Sequence, residues 1–194
     1  MAVWAHPHAF IEMKITPLVE NDRLQGFSVQ WLLDEASSSE MLYDLQLAGN
    51  DPKAKEKLAE DVIKNIINEH YFSYLYDKQG NKIKYSAKPA NYGLKAKGNQ
   101  LLYYFDFFLA KPPLLAENTF TLMTYDPTYY VSMFYQDKSA VDFSQIPTHC
   151  RGEWREQNVD EKTKRYAAGL DRSQKEADFS LGELFAQKVV VQCD

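Results

Sequence analysis

The order of strand-like and helix-like patterns constrains the fold of this chain more than any other feature. Residues 8–19 and 27–33 alternate apolar and polar side chains on either side of a turn-forming stretch at residues 21–26, which predicts a β-hairpin. Two helical patterns follow at residues 37–49 and 52–70, and β-type patterns return after them. Strands and helices in separate blocks are typical of α+β proteins, so we predict an α+β fold rich in antiparallel strands.

The two helical patterns carry recognisable start and stop signals. Ser37 and Glu40 fit a capping box and Gly49 fits a helix stop, whereas Asp51 and Pro52 fit the start of a second helix. The second helix is the clearest amphipathic segment in the sequence, and we expect it to bury its apolar face. That face comprises Leu58, Val62, Ile63, Ile66, Ile67 and His70. His70 is interpreted as a core or C-terminal capping residue rather than as a metal ligand.

The C-terminal part of the sequence predicts more strands and a short last helix. Three pairs of β-type segments flank turns and predict an antiparallel meander; they are 72–76 with 82–87, 92–97 with 101–109, and 119–125 with 129–136. The highly charged residues 156–178 predict an exposed, mobile segment. A short helix near residues 181–187 leads into a terminal strand, and no linker divides residues 1–194, so we predict a single domain.

Composition excludes several classes of protein. The net charge of −5 argues against nucleic-acid binding, which normally requires a basic face. The sequence contains no apolar stretch of about 18 residues, so we predict no transmembrane segment. Aromatic residues make up 14% of the chain, which favours strands and a large core. Common nucleotide-binding and hydrolase motifs are missing, so we do not expect an enzyme.

The two cysteines and the N-terminal residues indicate the cellular compartment in which the protein is found. Cys150 and Cys193 can form one disulfide, and two buried free thiols are the alternative. Val3-Trp4-Ala5 resembles the pattern before a signal-peptidase cleavage site, so residues 1–5 are interpreted as the remnant of a removed signal peptide behind an added methionine. Export would favour the disulfide, because such bonds persist in oxidising compartments. We therefore predict a bridge between the two cysteines.

The strongest candidate for chemistry is the pair His6 and His8. In an extended segment, residues two apart face the same way, and Pro7 restrains this segment to extended geometry. Their Cα atoms would be about 6.6 Å apart, a separation from which two imidazoles can converge on one zinc ion. A solvated, disordered tail is the alternative interpretation.

Further ligands are expected from another segment. Glu12 lies about 13 Å along the strand from His8, too far to share an ion, and the predicted hairpin register also places Asp34 and Glu35 far away. Asp126 is one candidate, although Asp-Pro is first of all a turn signal. His149 is the other candidate.

Several short motifs resemble one bacterial family. They are Ala5-His6-Pro7-His8-Ala9-Phe10-Ile11-Glu12, Trp31-Leu32-Leu33-Asp34-Glu35, Tyr125-Asp126-Pro127-Thr128-Tyr129-Tyr130, and the ending Phe185-Ala186 … Val190-Val191-Gln192-Cys193. The chain is similar to a periplasmic family of unknown function whose members are encoded beside nickel/cobalt-exporter-like permeases, and which includes a zinc-uptake accessory protein of the ZevA type. The resemblance implies a periplasmic location, metal binding and a membrane permease as partner. It also assigns His6 and His8 to the family's histidine motif and Asp34, Glu35 and Asp126 to its recurrent acids. Unlike some zinc-uptake members, this chain lacks a long histidine- and aspartate-rich tract.

These observations together predict a non-catalytic, periplasmic metal-binding component of a metal-transport system. Zinc is the expected ion, because imidazole and carboxylate ligands suit it, with nickel, cobalt or copper as alternatives. Two other functions remain open at this point. One is a copper enzyme with an N-terminal His6, and the other is a metal-independent binding module that uses an aromatic patch.

Overall fold

The fold consists of nine strands and four helices within residues 7–169 and 181–194, the residues that the computed structural model describes. The strands are β1 (Ala9–Glu20), β2 (Arg23–Leu33), β3 (Ser73–Tyr76), β4 (Ala90–Lys97), β5 (Gln100–Phe108), β6 (Thr119–Thr124), β7 (Val131–Phe134), β8 (Cys150–Arg155) and β9 (Lys188–Cys193). The helices are α1 (Glu35–Ala48), α2 (Pro52–Asn68), α3 (Glu161–Gly169) and α4 (Leu181–Phe185). The predicted α+β class, with two helices after the first hairpin and a short C-terminal helix, is confirmed.

The first hairpin has a tighter turn than the sequence suggested. Only Asn21 and Asp22 separate β1 from β2, and both have positive φ, of 51° and 57°. Asn and Asp adopt this conformation more readily than other non-glycine residues, which suits a two-residue turn. The shorter turn moves the pairing by two residues, so Glu12 lies opposite Leu32 rather than opposite Asp34.

The helix starts and stops follow local side-chain chemistry. Asp34, rather than Ser37, caps α1, since its side chain accepts a hydrogen bond from the Ser37 amide, and α1 therefore begins earlier than predicted. The start of α2 at Asp51-Pro52 is as predicted. The expected place of His70 on the buried face is wrong, because α2 ends at Asn68 and His70 begins a left-handed turn (φ 53°) with its side chain exposed.

The strands form two sheets instead of one meander. Sheet one has the order β4-β5-β2-β1-β7, and sheet two has the order β3-β6-β9-β8. The predicted hairpin between β6 and β7 is wrong: β6 pairs with β3 and β9, whereas β7 pairs in parallel with β1. The connection that contains Asp126 therefore crosses from one sheet to the other.

Aromatic side chains fill the space where the two sheets and α2 meet. Tyr71 stacks on Phe107 with ring centroids 4.9 Å apart, and Trp31 meets Phe105 edge to face at 4.9 Å. Helix α2 contributes Ala59, Ile63 and Ile66 to the same cluster, and each of these side chains is 5% exposed or less. Burial of this kind stabilises the fold by about 1.5–3 kcal/mol for each large side chain. The high aromatic content of the sequence is thus accounted for by the core.

Two predicted elements of the C-terminal region are present where it is described, the short helix as α4 and the terminal strand as β9. The charged segment predicted at residues 156–178 contains α3, and residues 170–178 lie outside the described residues. The predicted terminal strand is β9, which runs in the centre of sheet two. Within residues 7–169 and 181–194, no helix combines the length and apolar character needed to cross a membrane.

Candidate metal centre

The start of β1 is held against the segment that precedes β7. Ala9 lies opposite Val131 in the parallel pairing of these strands, and the His8 amide donates a hydrogen bond to the Tyr130 carbonyl at 2.9 Å. The rings of His8 and Tyr130 lie with centroids 4.9 Å apart. Since parallel pairing fixes position along both strands, His8 stands next to the loop that begins at Asp126.

The carboxylate of Asp126 organises that loop. It is 8% exposed and accepts hydrogen bonds from the Thr128 amide at 3.0 Å, the Thr128 hydroxyl at 2.9 Å and the Val131 amide at 3.0 Å. The Thr128 hydroxyl lies 2.9 Å from both carboxylate oxygens but has a single hydrogen to donate. An ionised carboxylate has about four lone-pair sites, so the three donated hydrogens leave one site for another partner. The turn role that Asp-Pro indicates is thus present, and capacity for one metal bond remains.

Aromatic stacking fixes both ends of the loop. Tyr125 stacks on Tyr74 with centroids 4.4 Å apart, and Tyr129 stacks on Phe185 of α4 at 4.0 Å. Burial raises the pKa of Tyr125 and of Tyr129, while burial and the charges of Glu69 and Asp126 raise the pKa of Tyr74. These phenols therefore stay protonated at neutral pH and do not offer phenolate ligands.

Asp34 lies closer to His8 than the sequence suggested. Its amide donates to the Phe10 carbonyl at 3.0 Å, and its carboxylate accepts from the Phe10 amide at 2.7 Å, only two residues from His8. The Ser37 amide and hydroxyl also donate to this carboxylate, each at 2.8 Å. Burial favours the neutral acid, but these hydrogen bonds outweigh it and lower the pKa of Asp34. Distance thus does not exclude Asp34 as a metal ligand, although its hydrogen bonds mainly connect the start of α1 to β1.

His149 lies at the other end of β1. Its Nε2 is 3.1 Å from Oδ1 of Asp22 in the first hairpin turn. The twelve residues of β1 span about 40 Å at the usual rise per residue, so His149 and His8 do not share one ion. The pairing of β1 with β7 therefore places His8 beside the loop that Asp126 organises, whereas His149 lies at the other end of β1. His6 and the predicted signal remnant at residues 1–5 lie outside the described residues.

The disulfide prediction is confirmed. Cys150 and Cys193 lie opposite each other on β8 and β9, and their sulfurs are bonded. The bond attaches β8, an edge strand, to the terminal strand β9. A disulfide is typical of proteins outside the reducing cytoplasm.

The sequence analysis did not predict several hydrogen bonds at the candidate site. Thr128 and Ser37 supply the hydroxyl groups that orient the two carboxylates, and Gly182 donates its amide to the Pro127 carbonyl at 3.1 Å. The spacing Asp126-x-Thr128 was the available signal, because Asp side chains commonly bond the backbone two residues later.

Comparison with known proteins places the chain in a family. A family model described as "Protein of unknown function (DUF1007)" matches residues 1–193. The chain belongs to this family. It is 57% identical over 192 residues to an uncharacterized protein of Haemophilus influenzae, a match that covers 99% of this chain and 93% of that protein. No solved structure matches the chain.

The ligand atoms near the start of β1 in this DUF1007 protein are of types that bind zinc, but they are too few for a complete zinc site. His8 offers an imidazole and Asp126 one carboxylate position, whereas structural zinc ions have four ligands and zinc ions with an exchangeable position have three. Within the described part of the chain, one trio of His, Cys, Asp or Glu ligand atoms lies within 4.8 Å of one another, namely His149, Cys150 and Cys193. A complete centre at the start of β1 would need at least one further ligand, and the sequence spacing predicts His6 for that role.

Proposed function

We propose that this protein is a non-catalytic, periplasmic zinc-binding component of a metal-transport system. In this proposal His6, His8 and Asp126 bind the ion, and a membrane permease is the partner that exchanges it. The observation that carries the proposal is the parallel pairing of β1 with β7, which brings His8 to the Asp126 loop. The disulfide supports a location outside the cytoplasm.

An incomplete ligand set suits delivery better than storage. A three-ligand site keeps one coordination position for water or for a partner's side chain, so the ion can leave through a ligand exchange. A fully enclosed site with four protein ligands would hold zinc as a structural element instead. Burial raises the pKa of Tyr125 and of Tyr129, so these two phenols beside the loop do not serve as general bases at neutral pH.

Zinc titration by calorimetry at pH 7 and pH 5 tests the proposal. Single substitutions His6→Ala and His8→Ala should each weaken binding at least about tenfold, because either change leaves too few ligands. Binding should also weaken steeply from pH 7 to pH 5, since a histidine with an ordinary pKa near 6.5 must lose its proton to bind.

The matched control is His149→Ala, which removes an exposed imidazole about 40 Å away by strand rise. It should leave this binding isotherm unchanged in the oxidised protein. A double His6→Ala, His8→Ala variant that binds zinc like the wild type would contradict the proposal. Competition with nickel, cobalt and copper in the same titration shows which of the four metals binds most tightly.

A metal-independent binding module is the second candidate, and one observation favours it. Phe10 and Tyr130 flank His8 and are 46% and 41% exposed, so an aromatic surface is open beside the site. Binding of a permease loop that persists in a chelator and disappears in Phe10→Ser would support this second function over the first.

A further inference from the structure

The second cluster of ligand-type side chains lies at the opposite end of β1 from the proposed zinc site. His149, Cys150 and Cys193 hold their ligand atoms within 4.8 Å of one another, and Oδ1 of Asp22 lies 3.1 Å from Nε2 of His149. Three separate segments meet here: the first hairpin turn, the start of β8 and the end of β9. The cluster is thus a product of the tertiary fold, not of a short sequence motif.

Backbone hydrogen bonds hold these residues in place independently of the sulfur–sulfur bond. The Asp194 amide donates to the His149 carbonyl at 3.1 Å, and the Cys193 amide donates to the Asn118 carbonyl at 2.9 Å. The Leu115 amide donates to the Asp22 carbonyl at 2.9 Å, which fixes the hairpin turn against the same loop. The ligand-bearing residues therefore stay together when the disulfide opens.

We propose that reduction of the Cys150–Cys193 disulfide creates a zinc site in which both thiolates, His149 and Asp22 are the ligands. The oxidised sulfurs are bonded to each other and offer no thiolate. A protein dithiol supplies two electrons and two protons, the sulfur–sulfur bond breaks, two thiols form, and the donor becomes a disulfide. Zinc binding then releases the two thiol protons.

The geometry fits a tetrahedral zinc ion. Two thiolates on one zinc lie about 3.8 Å apart, given zinc–sulfur bonds of about 2.3 Å. The Cα atoms of Cys150 and Cys193 are 4.0 Å apart, so rotation of the side chains is enough to separate the sulfurs. Two sulfurs, one imidazole nitrogen and one carboxylate oxygen complete a four-ligand set.

Solvent and a reducing partner can reach the cluster on the side where His149 and Asp22 lie. The side chains of His149 and Asp22 are 40% and 38% exposed, whereas Cys193 is only 5% exposed. A reducing thiolate therefore attacks the half-buried sulfur of Cys150, and Cys193 leaves as a thiolate, which then takes up a proton from the donor. This site is separate from the one under Proposed function, so either can exist without the other.

The test compares oxidised and reduced protein in a His8→Ala background, which removes the first site. Metal analysis after gel filtration should find about one more zinc per chain in the reduced form than in the oxidised form. Cobalt in place of zinc should give thiolate-to-metal charge-transfer absorption in the reduced form alone. Bound zinc should also protect both thiols from alkylation.

Two variants probe the ligands that are not cysteines. His149→Ala and Asp22→Asn should each weaken zinc binding to the reduced protein at least about tenfold. Asn tolerates the positive φ of residue 22, so the second variant keeps the turn. His70→Asn is the matched control, because His70 is exposed, also has positive φ and lies outside the cluster.

Three results would overturn the proposal. The first is equal zinc content in oxidised and reduced protein. The second is zinc binding to the reduced protein that His149→Ala leaves unchanged, which would mean that the thiols bind alone. The third is loss of the native circular-dichroism spectrum on reduction that zinc does not restore.

Discussion

Replacement of Asp126 by asparagine tests whether this carboxylate holds the β6–β7 connection in place. The substitution keeps the shape of the side chain and exchanges one acceptor oxygen for an amino group. Three donors, two on Thr128 and the Val131 amide, point at the two oxygens. The Thr128 hydroxyl can turn and accept from the new amino group, but one backbone amide, of Thr128 or of Val131, then faces a donor.

The cost follows from the burial of this network. A hydrogen bond to a charged group contributes about 1.5–3 kcal/mol, and a buried donor without a partner costs about 1–3 kcal/mol. Because Asp126 is 8% exposed, solvent does not replace the lost acceptor. We therefore expect Asp126→Asn to lower the free energy of unfolding by about 2–3 kcal/mol.

Urea unfolding followed by circular dichroism measures this change, with Asp142→Asn as the control. The Asp142 carboxylate also accepts a hydrogen bond from the backbone amide two residues further along the chain, that of Ser144, at 2.9 Å. Unlike Asp126, however, Asp142 is exposed. Its substitution should change stability by no more than about 0.5 kcal/mol. A loss below about 0.5 kcal/mol for Asp126→Asn would show that the loop does not depend on the charge, and our reading of the network would be refuted.

Three further changes test other parts of the structure. Reduction of the Cys150–Cys193 disulfide, which spans 43 positions, should lower stability in urea by about 4 kcal/mol, and a change below about 1 kcal/mol would contradict the loop-entropy estimate. Gly182→Ala should cost about 1–3 kcal/mol, because a Cβ there meets the Asp126 carbonyl oxygen; Gly169→Ala, where a Cβ meets nothing, is the control, and equal thermal stabilities would contradict the contact. The folded-state pKa of Asp34 is below its ordinary value, so its contribution to stability is present above about pH 4 and is lost as the pH falls through the lowered pKa. Asp34→Asn should therefore flatten the acid side of the stability–pH curve, and an unchanged curve would contradict the shift.

Local features of the fold could be read from the sequence. The amphipathic pattern after Asp51 and the turn between β4 and β5 are set by side chains within a few residues, and both are as predicted. The prediction of Ser37 as the cap of α1 is wrong, because Asp34 and Ser37 are both good capping residues. Only the hydrogen bond from the Phe10 amide to Asp34, a contact between distant segments, decides between them.

Long-range pairing could not be read from the sequence. Alternating patterns on either side of Asp126-Pro127 fit a hairpin, and nothing in a strand's own pattern states which sheet it joins. The register of the first hairpin was two residues off, because residues 21–26 offer several turns and only packing selects the Asn21-Asp22 turn. Consequently the sequence indicates His8 and Asp126 separately, whereas the parallel β1–β7 pairing places His8 beside the Asp126 loop.

In the proposed site, this topology would link metal binding to the stability of the sheet edge. β7 is the last strand of sheet one and pairs with β1 over only four positions, from Ala9–Val131 to Glu12–Phe134. A ligand that binds the folded state at 100 times its Kd stabilises it by about 2.7 kcal/mol. An ion held by His8, just before β1, and by Asp126, before β7, would stabilise this short pairing of the two strands by that amount. By the same linkage, changes that weaken the Asp126 loop would lower the metal affinity of the proposed site even where they touch no ligand atom.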